Sequence, residues 1–201
     1  LPILTDWKKY KNPQPNFNLR EKYKNFDYII LMASRLEKEK DFNLALDIMD
    51  QVLKDGGVSG STKILLLIVG DGSERNNILA KASVIGISSN LQIEPWVEDL
   101  NPYYSGADIF LLTSLYEGFG RTIIESLSSG CPVVSVDCGG AGEVGAEMIP
   151  RNKEAASKIV IAKLREHIRI KNFSSTYKLT EAEYLKQYSN SWENAIRLFK
   201  K

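Results

Sequence analysis

Asp108-Ile-Phe-Leu-Leu-Thr113-Ser114-Leu-Tyr-Glu117-Gly118-Phe119-Gly120-Arg121-Thr122-Ile123-Ile124-Glu125 reads as a buried strand, a glycine turn and the opening of a helix. Such a strand, apolar on both faces and leading straight into a helix, belongs in a parallel sheet covered on both sides. The same alternation extends in both directions. Upstream, Asp27-Tyr-Ile-Ile-Leu-Met-Ala33 and Ile64-Leu-Leu-Leu-Ile-Val69 are apolar runs of strand length, and Leu91-Gln-Ile-Glu94 is a shorter one. Downstream, Val133-Val-Ser-Val136 is a fifth strand and residues 146–150 add a sixth. Between them, Asp41 is placed to cap a helix reaching Asp55, with Phe42, Leu44, Ala45, Ile48, Met49 and Val52 at helical spacing and Gly56-Gly57 behind it. Further helices are expected over 73–84, 98–105, 120–129, 152–170 and 179–200.

This order predicts an α/β fold, a Rossmann-like three-layer α/β/α arrangement around a parallel sheet with right-handed crossovers. The chain has 201 residues, enough for one sizeable core and an extension. We divide it into a linker over 1–26 (with a short helix at 19–25), a Rossmann-like body over 27–175 and a closing helix over 176–201. Apolar residues make up 43% and charged residues 25%, ordinary globular values that argue against disorder. A net charge of +1 offers no general attraction to nucleic acid. Lys8, Lys9 and Lys11, and the terminal Lys200 and Lys201, read as solvated ends. No apolar run approaches the ~20 residues that span a bilayer, and Trp7-Lys8-Lys9-Tyr10 breaks any signal-peptide pattern. The two cysteines, Cys131 and Cys138, flank a strand and are expected to be free, buried thiols in a reducing compartment. His167 is the single histidine, so neither a structural zinc site nor a Ser-His-Asp triad fits within this chain. His167 itself is expected on the surface of a helix.

In sheets of this type ligands bind beyond the carboxyl ends of the strands. The loops 34–40, 70–73, 94–99, 114–120 and 137–143 should therefore share one rim. Ser34-Arg35-Leu36-Glu37-Lys38-Glu39-Lys40 brings three cations to it. An arginine fork can grip phosphate and a lysine adds a point charge; the plainer alternative is a solvated loop. Gly70 and Gly72 allow close backbone approach to a ligand, or simply make a tight turn. Gly118-Phe119-Gly120 precedes a helix, whose unpaired N–H groups and positive dipole end suit an anion. Glu117 lies in the turn before the helix, and Glu125 roughly five residues inside it, about 7–8 Å along the axis. A ligand with hydroxyls at both ends and a diphosphate between them matches this layout, as sugar nucleotides do. Gly139, Gly140 and Gly142 form a fourth rim loop, suited to backbone contact or closure. Trp96 can stack on a base or pack as a half-buried aromatic, and Asp99 is placed to cap the next short helix.

These motifs, in this order, resemble the donor-binding C-terminal half of GT-B glycosyltransferases, in particular the family 4 retaining enzymes. Arg35-Leu36 with Lys40 is similar to that family's R-L-x-x-x-K, Ile68-Val69-Gly70-Asp71-Gly72 to its second signature, and Glu117 with Glu125 to its E-x7-E pair. Gly139-Gly140-Ala141-Gly142-Glu143 is like its G-G-x-x-E. The resemblance covers roughly residues 27–145. It implies that Arg35 and Lys40 bind the diphosphate, that Glu117 contacts hydroxyls of the sugar, and that Glu125 contacts the ribose. It further implies that backbone at Gly118, Phe119, Gly120 and Thr122 approaches sugar and phosphate, and that backbone near Trp96 and Val97 faces the base. The implied ligand is a UDP- or GDP-sugar, with no cofactor. GT-A-type enzymes commonly hold a metal with Asp-x-Asp; this chain has no such triplet, and no metal is expected.

The implied reaction is hexosyl transfer with retention, to a glycan or lipid-linked acceptor held by an N-terminal domain that this stretch does not include. The 201 residues alone are expected to be inactive. The implied location is cytoplasmic, with peripheral association of the complete enzyme at the inner membrane face. Two departures stand out: Asp41 replaces the family's usual glycine after the lysine, and the segment after Glu143-Val144 is short. Competing readings are a sugar-nucleotide 2-epimerase half, a nucleotide-binding regulatory Rossmann-like module and a plain interaction domain.

Overall fold

A computed structural model describes residues 17–118, 120–167 and 169–170. The expected helix over 179–200, most of the linker and Phe119 lie outside the described residues. The elements in order are α1 (Leu19–Lys22), β1 (Tyr28–Ala33), α2 (Phe42–Lys54), β2 (Ile64–Val69), α3 (Arg75–Val84), β3 (Leu91–Glu94), α4 (Asn101–Gly106), β4 (Ile109–Leu112), α5 (Arg121–Ser128), β5 (Val133–Ser135), β6 (Glu147–Met148) and α6 (Lys153–Glu166). Short 3-10 turns occupy Lys38–Lys40 and Ser88–Asn90.

The strands form one six-stranded sheet in the order β3-β2-β1-β4-β5-β6, parallel throughout. The β1–β2 ladder runs from Tyr28–Ile64 to Ala33–Val69. β1 and β4 pair only at Ile30–Ile109 and Leu31–Phe110. Connections run outward from β1 in one direction and from β4 in the other. With right-handed crossovers, their following helices fall on opposite faces, and the crevice between the two strand ends is the switch point. The Val/Ile/Leu runs are buried along their whole length because helices cover both faces. Cys131 and Cys138 are free and buried, and burial pushes the Cys131 thiol up to about 12.

Four helix boundaries differ from expectation. The short helix expected over 19–25 ends at Lys22, where Tyr23 leaves helical geometry. α3 begins at Arg75 rather than Ser73, because Ser73 is occupied elsewhere: its hydroxyl donates to Glu37 Oε2 at 2.8 Å and its N–H to Oε1 at 3.4 Å. α4 begins at Asn101, with Asp99 Oδ1 accepting from its N–H at 3.1 Å. α6 stops at Glu166, and His167 follows it in the left-handed conformation (φ 46°). His167 is therefore exposed but beyond the helix, edge-on to Tyr28.

Packing begins by Leu19, which is buried. α1 is held by its charges and phenols. Arg20 pairs with Asp108, whose Oδ2 also accepts from Ile29 N–H at 2.7 Å. Glu94, at the end of β3, accepts from Tyr23, from Tyr103 at 2.7 Å and from Lys22 at 2.7 Å. Burial alone would raise the Glu94 pKa, but these three donors outweigh it and hold the carboxyl below its ordinary value. A depressed carboxyl stabilises the fold above the ordinary carboxylate pKa, and that contribution fades as pH falls through the folded value. Glu94→Gln is expected to lose ~1–3 kcal/mol in urea unfolding at neutral pH, with the gap from wild type narrowing in acid. An equal gap in acid and at neutral pH contradicts this.

Candidate active site

Beyond Leu31–Phe110 no strand ladder joins β1 to β4, and their following loops are joined mainly through side chains. Leu115 N–H donates to Glu39 O at 2.8 Å, the one backbone bond recorded between these loops among the described residues. Thr113 Oγ1 reaches the carbonyls of Lys40 (3.0 Å) and Asp41 (3.1 Å). Lys40 Nζ stands 2.7 Å from Glu117 Oε1, and Ser114 Oγ donates to the same oxygen at 2.7 Å. Both charged side chains are largely buried, 14% and 16% exposed, so solvent screens this pair less than a surface one.

Local sequence explains how Lys40 gets there. The Lys38–Lys40 turn ends at Asp41, which adopts a left-handed backbone (φ 47°, ψ 56°). Aspartate tolerates this better than most residues, so the glycine-like shape is kept without a glycine. Its Oδ1 then caps α2, accepting from Leu44 N–H at 3.2 Å.

Glu117 is followed by the start of α5. Gly120 has φ 72° and caps the helix without a side-chain acceptor, so the first-turn N–H groups of α5 receive no side-chain cap. A side chain at Gly118 would meet nothing within 4 Å. Gly139 presses on this turn: a Cβ there would lie 3.1 Å from Gly118 O and 3.2 Å from Glu117 Cβ. Glu125 lies one turn deeper, only 7% exposed, with Tyr104 OH donating to Oε2 at 3.3 Å. Tyr104 is itself fully buried, edge-on to Phe110.

The other expected site residues are placed as follows. Arg35 is 76% exposed and contacts Glu39 at 3.2 Å rather than Glu117, a surface pair worth little. Gly70 and Gly72 sit where the loop after β2 docks on the loop after β1. A Cβ on Gly70 would lie 1.9 Å from Ser34 O, and one on Gly72 2.4 Å from Leu36 O. The close backbone approach seen here is thus between two loops. Trp96 is 66% exposed rather than half-buried, and its N–H is fixed by Asp71 Oδ2 at 3.1 Å. Val97 packs at the edge of the core. Lys40, Glu117, Gly118, Gly120 and Thr122 therefore lie on the two loops and helix start at the crevice, with Glu125 beneath, Arg35 exposed on the loop after β1, and Trp96 exposed on the loop after β3, at the edge of the sheet.

Sequence reasoning missed Ser114, Thr113, Tyr104 and Arg151. Arg151 precedes α6, donates from Nη1 to Asp41 Oδ2 at 2.9 Å and to Thr113 O at 3.3 Å, and donates from Nη2 to Ser114 O. Its partners lie far away in the chain, and no local pattern announces them.

The family model for glycosyl transferases group 1 matches residues 16–177. This chain belongs to that family. Among relatives of this group 1 chain are the lipopolysaccharide core biosynthesis glycosyltransferase LpsE of Rhizobium meliloti, 28% identical over 107 residues, and the amylovoran biosynthesis glycosyltransferase AmsD of Erwinia amylovora, 31% identical over 109. These matches take in 53% and 54% of the chain and 29% of each relative, so the group 1 stretch spans well under two thirds of their length. Among solved structures, Anabaena Alr3699/HepE in complex with UDP and glucose aligns with a TM-score of 0.68 at 20% identity, over 83% of this chain and 49% of that one. A glycosyltransferase from Rickettsia africae aligns with a TM-score of 0.61 at 25% identity, over 83% and 50%. The fold is thus half of a GT-B glycosyltransferase, as the resemblance implied. Among the described residues no helix is long and apolar enough to cross a membrane.

The docking of the two loops is open to test. Gly70→Ala places a methyl group against a backbone carbonyl at φ 151°, and is expected to cost more than ~1 kcal/mol in chemical denaturation. An unchanged unfolding midpoint contradicts this packing.

Proposed function

We propose that this chain is the donor-binding half of a hexosyltransferase, and that its rim holds a nucleoside diphosphate sugar. The observation that carries the proposal is the Lys40–Glu117 contact, which joins the two switch-point loops just ahead of Gly120, the N-cap that opens α5 without a side-chain acceptor. In this reading Lys40 and Arg35 take the diphosphate, with the first N–H groups of α5 beside them. Glu117 takes sugar hydroxyls, Glu125 the ribose, and the exposed Trp96 with Val97 the base. The turn over Gly118, Phe119 and Gly120 and the backbone of Thr122 line the sugar and phosphates. Uridine diphosphate sugars are the first choice, since relatives of the same fold are solved with UDP.

Transfer breaks the bond between the anomeric carbon and the diphosphate oxygen. The bond's electrons leave with the diphosphate, and the sugar gains oxocarbenium character. Fixed cations and a helix end stabilise the departing charge without reorganising. Lys40 has a second task, because it pairs with and neutralises Glu117. When the diphosphate arrives the ammonium can turn to it, and Ser114 Oγ keeps Glu117 in place for the sugar. This arrangement calls for no metal. Acceptor binding, retention of configuration, cytoplasmic work at the inner membrane face and transfer itself belong, in this proposal, to the complete enzyme. These 201 residues alone are expected to bind donor without transferring it.

Calorimetric titration with UDP, GDP and ADP tests the reading. One of them is expected to bind saturably, and Glu125→Gln to weaken it about ten- to hundred-fold, the loss of one charged hydrogen bond. A folded sample that binds none at millimolar concentration rules the donor site out.

A further inference from the structure

We propose that Arg151 is a positioning residue for this site, one that sets the gap between the Lys40 loop and the Glu117 loop and thereby tunes diphosphate binding through them. The inference rests on the donor-site reading above. Three groups converge on one guanidinium: the Asp41 carboxylate, from the loop after β1, and the Thr113 and Ser114 carbonyls, from the loop after β4. The fork is thus a strut across the switch-point crevice, supplied by a third loop. Its own base is fixed, because Asn152 caps α6 by accepting from Ala155 N–H at 2.8 Å and Pro150 limits the backbone before it.

Each partner of Arg151 is one step from a site residue. Asp41 directly follows Lys40, and its two carboxylate oxygens are divided between the α2 cap and the Arg151 fork. Ser114 gives its carbonyl to Arg151 and its hydroxyl to Glu117. Thr113 gives its carbonyl to Arg151 and its hydroxyl to the carbonyls of Lys40 and Asp41. Carbonyls from two strand-end residues and a carboxylate need several donors in one plane, which guanidinium supplies and a single ammonium cannot. Arg151→Lys therefore keeps the charge and removes the strut. Without the strut, the contacts left between the loops among the described residues include Leu115–Glu39, the Thr113 hydroxyl and Lys40–Glu117. Lys40 is then less free to leave Glu117 for a ligand.

The experiment is calorimetry on the 201-residue chain with UDP and UMP, and with GDP and GMP. The quantity read is the affinity gained on going from mono- to diphosphate. Arg151→Lys is expected to cut that gain about tenfold while the monophosphate affinity stays within about twofold. In a Lys40→Met background the same substitution is expected to change the gain no further. If Arg151→Lys fails to fold, Asp41→Asn reads the same strut from its other end, with a loss of the same sign. A full gain in Arg151→Lys, an equal loss for both nucleotides, or an additive loss with Lys40→Met each overturns the inference. A folded wild-type chain that binds none of the four nucleotides overturns the donor-site reading first, and this inference with it.

Discussion

The ammonium group of Lys40 sits 2.7 Å from the Glu117 carboxylate, at the one place where neighbouring strands send their helices to opposite faces of the sheet. Everything proposed for the molecule depends on this contact. The ladder between β1 and β4 has already ended below it. What happens above the sheet is therefore decided by side chains, not by strand pairing. A lysine and a glutamate that neutralise each other there tie the two loops together across the crevice.

The surrounding structure can be understood as support for that contact. The apolar strands fix where the two loops leave the sheet. Asp41 turns the chain sharply enough to bring Lys40 inward and start α2 in the same step. Gly139 closes one side of the Glu117 turn, and Tyr104 stiffens Glu125 from below. The loop after β2 docks on the loop after β1 through Gly70 and Gly72, and Asp71 carries that order onward to the backbone of Trp96. Rigid placement of this kind lets a site stabilise charge without rearranging at the moment charge develops.

Much of this was legible in the sequence, for physical reasons. Ile64–Val69 and Ile109–Leu112 are apolar without alternation, which only a doubly covered strand tolerates. The rim loops follow directly, because parallel strands place all their carboxyl ends on one side. The Glu117 and Glu125 pair was visible because both members fall within one strand-turn-helix unit. Strand order was not visible, since the direction of each crossover leaves no mark on composition. Nor was the strut, because Arg151 stands 110 positions from Asp41 and nothing near it is unusual. For Trp96 the sequence left base stacking and half-buried packing open; its exposure argues against the packing, and Asp71 holds the backbone that carries it. Gly70 and Gly72 read either as close approach to a ligand or as a tight turn, and their positive φ angles and tight contacts are accounted for by the neighbouring loop.

The most direct measurement is a crystal structure of the chain with the nucleoside diphosphate that it binds best. The account predicts diphosphate oxygens within about 3 Å of Lys40 Nζ and of the N–H groups that open α5, with the ammonium turned away from Glu117 and Ser114 still holding that carboxylate. A nucleotide bound elsewhere, with the Lys40–Glu117 pair intact and the start of α5 empty, contradicts it.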